Sequence, residues 1–174
     1  MEAQGIRYAL IGGFAMALRG VQRATMDMDF ILMMEDLDRA DRIISEAGFQ
    51  RAFCSENASS YVSEDPALGR LDILHAFRGP TLSMLERADR IAVSGTLDLP
   101  VVQLEDIVGL KVQASVNDPA RATSDWADIR LLIEDRAQRG APVDWDLIAD
   151  YLEIFGLQSE LNDMRAWYGS VDPS

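Results

Sequence analysis

One cysteine, one histidine and one lysine occur among the 174 residues, and bases are few beside acids. Each scarcity excludes something. The lone Cys54 cannot form an internal disulfide and fits a reducing compartment. A small apolar filler is its expected role, rather than a nucleophile. Sixteen Lys and Arg face 29 Asp and Glu, a net charge of −13. General binding of a nucleic-acid backbone is built from Lys and Arg neutralising phosphates, so this balance argues against it, though not against a local basic groove. Hard cations such as magnesium want carboxylate oxygens and suit an acidic chain. No apolar run approaches the ~20 residues of a membrane span. The opening "MEAQGIRYALIGG" lacks the basic start and long apolar core of a signal peptide, so no membrane association and a cytoplasmic location are expected.

What is present is a globular composition, 48% hydrophobic, with no internal repeat and no low-complexity linker. A single domain over residues 1–174 is expected, mainly sheet over 1–103 and helical over 104–174. "RYALI" reads as a buried strand stopped by Gly12 and Gly13, and "FAMALRG" as a short helix closed by Gly20. "MDFILMM" predicts a strand and "DLDRADRIISEAGF" an amphipathic helix. Three strand-like runs, "QRAFCS", "SYVSE" and "RLDILHAF", precede a short helix "TLSMLERA" and two strands around Ser94 and Gly95. From Leu104 the pattern is helical in four segments. The fold class is α+β (mixed α/β), a mixed sheet with helices.

Asp27 and Asp29 open an apolar strand, where alternation would point both to one side. Two carboxylates so spaced repel unless a cation lies between them or one is protonated. Taken alone, such a pair is an ordinary strand entry facing water. The preceding strand, Gly-Gly and helix place bare amides where phosphate binds well, and a phosphate cradle beside a metal-binding pair is the minimum for phosphoryl transfer.

The stretch "GGFAMALRGVQRATMDMDF" resembles the nucleotidyltransferase superfamily of DNA polymerase β type, and in its "IGG.A…RG..R.T.D.D" form the AbiEii/AbiGii-type toxin nucleotidyltransferases and their minimal relatives. The resemblance implies two magnesium ions, an NTP such as ATP as donor, and transfer of a nucleotidyl group to a hydroxyl. It makes Gly12 and Gly13 the phosphate cradle and Asp27 and Asp29 metal ligands, with Asp72 in "RLDILHAF" as the third carboxylate. Arg23 and Thr25 would assist or simply hold the loop. Lys111 shares a helical face with Leu104, Ile107 and Val108, where an ammonium needs a negative partner or must reach water. The resemblance makes it a triphosphate ligand, with Asp125 orienting it and Asp128 as a second acid three residues on. Ser124 stands before Asp125 where the family shows a base, a departure in that element.

Removing the Lys111 charge by Lys111→Met is expected to leave stability nearly unchanged, or to improve it. His75 is expected to be structural, and Trp126, Trp145, Trp167 and Tyr168 to complete the core or a partner surface. The acceptor is open between a protein, a small molecule and a tRNA end. A cognate toxin or antitoxin is a possible partner, and the alternative function is a non-catalytic binding protein that keeps the fold.

Overall fold

The computed structural model describes residues 1, 4–22, 25–95 and 97–171, and the expected Arg23 lies outside them. Period-two apolar runs become strands and longer runs become helices. The order is β1 (Tyr8–Ile11), α1 (Gly12–Leu18), β2 (Met28–Met33), α2 (Leu37–Glu46), β3 (Phe49–Cys54), β4 (Ala58–Ser63), β5 (Arg70–Ala76), α3 (Gly79–Glu86), β6 (Asp89–Ser94) and β7 (Leu97–Val101). Four helices follow: α4 (Leu104–Asn117), α5 (Ala122–Gln138), α6 (Trp145–Ile154) and α7 (Glu160–Gly169). The described elements are those of an α+β protein, as the sequence suggests. Contacts divide the chain into two compact units, Met1–Leu18 with Gln22–Gln103, and Arg19–Val21 with Leu104–Ser174.

In the first unit the described strands form one mixed sheet in the order β3-β4-β5-β2-β1-β7-β6. β2 pairs in parallel with β5, and β1 with β7, while the other neighbours are antiparallel. Leu32, Tyr61, Leu71 and Ile73 share a core with Ala40, Ile44 and Phe49, and half-buried Met28 and Phe30 pack against it. Because side chains alternate, driving Leu71 and Ile73 into this core turns Asp72 to the opposite face. Met28 and Phe30 do the same for Asp29.

The entry to β1 is fixed by a buried carboxylate. The Arg7 amide donates to Asp36 Oδ2 at 2.9 Å, and the Arg39 guanidinium donates to Asp36 Oδ1. Burial pushes the Asp36 carboxyl upward, but the Arg7 amide and Arg39 outweigh it and hold its pKa below the ordinary value.

Two expectations change here. The first helix starts at Gly12, not after the two glycines, with Gly12 at φ +65°. Cys54 is exposed rather than a filler, because β3 is an edge strand.

In the second unit Leu104, Ile107 and Val108 are buried, and α4 packs against α5 and α6. A Cβ on Gly109 would lie 2.6 Å from Tyr151 Cγ, so the missing side chain is what lets α4 and α6 approach. Tyr151 then donates its hydroxyl to the buried Asp106 at 2.7 Å. Trp145 and Tyr168 meet edge to face at 5.7 Å, both half-buried. No described helix is long and apolar enough to cross a membrane.

Candidate active site

The register of three strands builds one transverse row. Ser60 on β4 is the partner of Asp72 on β5, and Asp72 is the partner of Asp29 on β2. In-register residues on neighbouring strands point to the same face, so Asp29 and Asp72 stand side by side. Across the next pairing Asp29 is opposite Ile11, one residue before α1. The Asp29 side chain lies over Gly12, where a Cβ would fall 2.0 Å from Asp29 Oδ2. Gly12 is therefore required twice, by its positive φ and by the carboxylate above it. Gly13 is similarly close to Thr25, with a Cβ placed 2.8 Å from Thr25 Cγ2.

Thr25 holds the loop by donating its hydroxyl to the Asp27 carbonyl at 3.3 Å. Asp27 itself is exposed and precedes β2, which begins at Met28, so strand alternation does not set its direction. The structure thus gathers Gly12, Asp29 and Asp72 around one row, with Gly13 in the first turn of α1 and Thr25 and Asp27 in the loop before β2.

Two residues beyond those singled out in the sequence complete the row. Ser60, 8% exposed, donates its hydroxyl to Asp72 Oδ1. Arg70 donates from Nε to the same oxygen at 3.1 Å and from Nη2 to Ser60 Oγ at 3.2 Å. A strand spacing of two put Arg70 on the face of Asp72, and that signal was present in the sequence. Neighbouring carboxylates repel each other. A guanidinium at Asp72 relieves that repulsion.

The donors suit a divalent cation in kind and in register. They are hard carboxylate oxygens from two in-register strand residues, one of which lies against Gly12. Among the described residues, however, no group of three or more His, Cys, Asp or Glu side chains is gathered closely enough to hold a metal ion. Asp72 is turned to Arg70 and Ser60.

The second unit holds a separate charged cluster. Lys111 Nζ donates to Asp125 Oδ1 at 2.8 Å and to Asp128 Oδ2 at 2.6 Å. The side chains of Lys111, Asp125 and Asp128 are 11%, 1% and 10% exposed. The ammonium is thus paired with acids from the following helix and does not extend into open solvent. Asp125 Oδ2 is buried without a hydrogen bond among the described residues, and the exposed Arg121 lies 3.7 Å from it.

His75 is structural. Its ring is 1% exposed, with Nδ1 3.0 Å from the Glu56 carbonyl and Nε2 3.1 Å from Ser59 Oγ. The carbonyl can only accept, so Nδ1 donates to it.

This arrangement of strands and helices recurs in solved nucleotidyltransferases. The antibiotic-resistance factor ANT(2'')-Ia superposes with a TM-score of 0.59 at 16% identity, covering 95% of this chain and 86% of that one. A nucleotidyltransferase-like protein from Paracoccidioides brasiliensis gives 0.56 at 17% identity, covering 99% of this chain and 88% of the other. The lincosamide antibiotic adenylyltransferase LnuA, with lincomycin bound, gives 0.52 at 17% identity over 75% and 88% of the two chains. The fold is therefore the nucleotidyltransferase fold. No protein-family model matches the sequence, and no curated protein matches it.

Proposed function

We propose that the chain is a magnesium-dependent nucleotidyltransferase that moves a nucleotidyl group from an NTP to a hydroxyl of an acceptor. The observation that carries this reading is the in-register pair Asp29 and Asp72, with Asp29 packed against the side-chain-free Gly12. Divalent ions bound by Asp27, Asp29 and Asp72 would supply charge neutralisation at the α-phosphate and the departing pyrophosphate.

The chain's own residues do the rest. Gly12 and Gly13, at the start of α1, would offer backbone amides to the donor's phosphates. Asp72 steers the acceptor hydroxyl and receives its proton, as the hydroxyl oxygen forms a bond to the α-phosphorus and the bond to the pyrophosphate oxygen breaks. Ser60 orients the Asp72 carboxylate. Lys111 is held by Asp125 and Asp128 within the second unit, and its role as a triphosphate ligand rests on the resemblance alone.

A small-molecule acceptor is favoured. ANT(2'')-Ia is solved in complex with adenylyl-2''-tobramycin, and the lincosamide antibiotic adenylyltransferase LnuA with lincomycin bound. The AbiEii-like sequence form points instead to a toxin of a toxin–antitoxin pair with a macromolecular acceptor. A non-catalytic partner protein would need none of the three acids, and all three are present.

The test is transfer of α-labelled nucleotide from each of the four NTPs, with magnesium, to small-molecule extracts and to protein and RNA fractions. Label should pass to an acceptor with wild-type protein and not with Asp29→Asn. Equal transfer by both proteins, or no magnesium-dependent NTP binding at all, defeats the reading.

A further inference from the structure

The Arg70–Asp72–Ser60 arrangement has a consequence for metal loading. Arg70 is 53% exposed and Asp72 34% exposed at the side chain, so their ion pair is wet on one side. Exposed pairs of this kind are weak. Ser60 is nearly buried and bonds both partners, so it holds the carboxylate in place whether or not the guanidinium stays. Asp72 Oδ1 already receives two donors, so a cation that binds through this oxygen competes with Arg70 and Ser60 for its lone pairs.

We propose that Arg70 is a built-in counter-cation of Asp72 that competes with a divalent ion for Asp72 Oδ1, so that it raises the metal concentration at which the site loads. This rests on the metal reading above. Without metal, Arg70 offsets the charge of adjacent acids that the sheet register forces together. A divalent ion carries twice the charge and approaches a carboxylate oxygen more closely than a guanidinium does, so it displaces Arg70 at sufficient concentration. The site's apparent affinity is then scaled by the fraction of molecules in which Asp72 is free of Arg70. Ser60 is a positioning residue in both states.

The experiment is Mn²⁺ binding to the full chain, followed by the electron paramagnetic resonance of free Mn²⁺, without nucleotide or acceptor. Arg70→Gln should lower the half-saturating Mn²⁺ concentration about two- to five-fold, the range expected for losing an exposed pair. In an Asp72→Asn background the same change should have no effect, because the competition passes through that carboxylate. Arg70→Lys, which keeps the charge and loses the fork, should fall between wild type and Arg70→Gln, and it stands in if Arg70→Gln misfolds. A second readout is the rise in melting temperature on adding Mn²⁺, which should be larger in Arg70→Gln than in wild type.

An equal effect of Arg70→Gln in both backgrounds would mean distant charge alone, and would overturn the proposal. Unchanged binding in Arg70→Gln, with weakened binding in Asp72→Asn, would also overturn it while leaving the metal reading intact. Absence of Mn²⁺ binding in every variant would overturn both.

Discussion

The two units each hold a cluster of carboxylates around one base, and burial sets them apart. In the sheet unit Arg70 meets Asp72 with both side chains partly in water, next to a second acid, Asp29. In the helical unit Lys111 is enclosed with Asp125 and Asp128 at 2.8 and 2.6 Å. An exposed pair exchanges its partner readily, since water solvates either charge once they separate. An enclosed pair cannot, because separation strands an ion in a poor solvent. The same residue types therefore make a replaceable contact in one unit and a fixed one in the other.

The largest expected effect is on chemistry in the open cluster. Asp29→Asn is near-isosteric and half-exposed, so the melting temperature should stay close to wild type. Nucleotide transfer should fall by about a thousandfold, the scale of losing a direct electrostatic contribution to the transition state. Initial rates with labelled NTP measure it. A variant that unfolds would place Asp29 among structural residues instead.

Next comes the enclosed cluster. The sequence suggested that Lys111→Met would be neutral or stabilising, a view that suits a lone buried ammonium. Two acids on one ammonium reverse the sign. Without Lys111, the fully buried Asp125 keeps only an exposed arginine at 3.7 Å among its described cations, and its Oδ2 already lacks a hydrogen bond. Destabilisation of about 3 kcal/mol is expected, read from urea denaturation. An unchanged midpoint would erase the contrast between the clusters.

Ser60→Ala should have a smaller effect. It removes one hydroxyl bonded to both Asp72 and Arg70 and should cost about 1 kcal/mol by thermal denaturation. A larger loss would show that the open cluster is structurally as rigid as the enclosed one.

The smallest effect concerns Asp36, a buried acid with one partner from the backbone and one from a half-exposed arginine. Its folded pKa is lowered, so the unfolded chain takes up the proton more readily. Its contribution is complete above the ordinary value of 3.8 and disappears as pH falls through the folded value. Asp36→Asn should give a flatter stability profile below about pH 4 than wild type. Parallel profiles would show that Asp36 does not contribute to acid lability.

Much of this was legible in the sequence because it is local. The strand at 28–33, the helix at 37–46 and the helical run from Leu104 follow from periodicity, and the mixed α+β class with them. Asp29 and Asp72 were identifiable because each is an acid within an apolar strand. The partners of these acids were less so. Which residue of "ASSYVS" lies beside Asp72 depends on the β4–β5 register, which composition does not reveal, so Ser60 was missed. Cys54 was misjudged for a similar reason, since exposure there follows from the edge position of β3 in the sheet order. Arg70 was within reach through its spacing from Asp72 and was overlooked.

The parallel pairing of β2 with β5 also orders events in time. Residues 28–33 meet 71–76 only after a helix and two further strands have been passed. Distant pairings are slow, because loop closure costs entropy before any contact rewards it. The β3–β4 and β4–β5 pairings join neighbours in sequence and should form earlier. In pulse-labelled refolding, amides of β3 and β4 should gain protection before those of β2, and simultaneous protection would contradict this order. Until β2 docks on β5, nothing holds Asp29 beside Asp72, so their mutual repulsion enters only when that pairing forms.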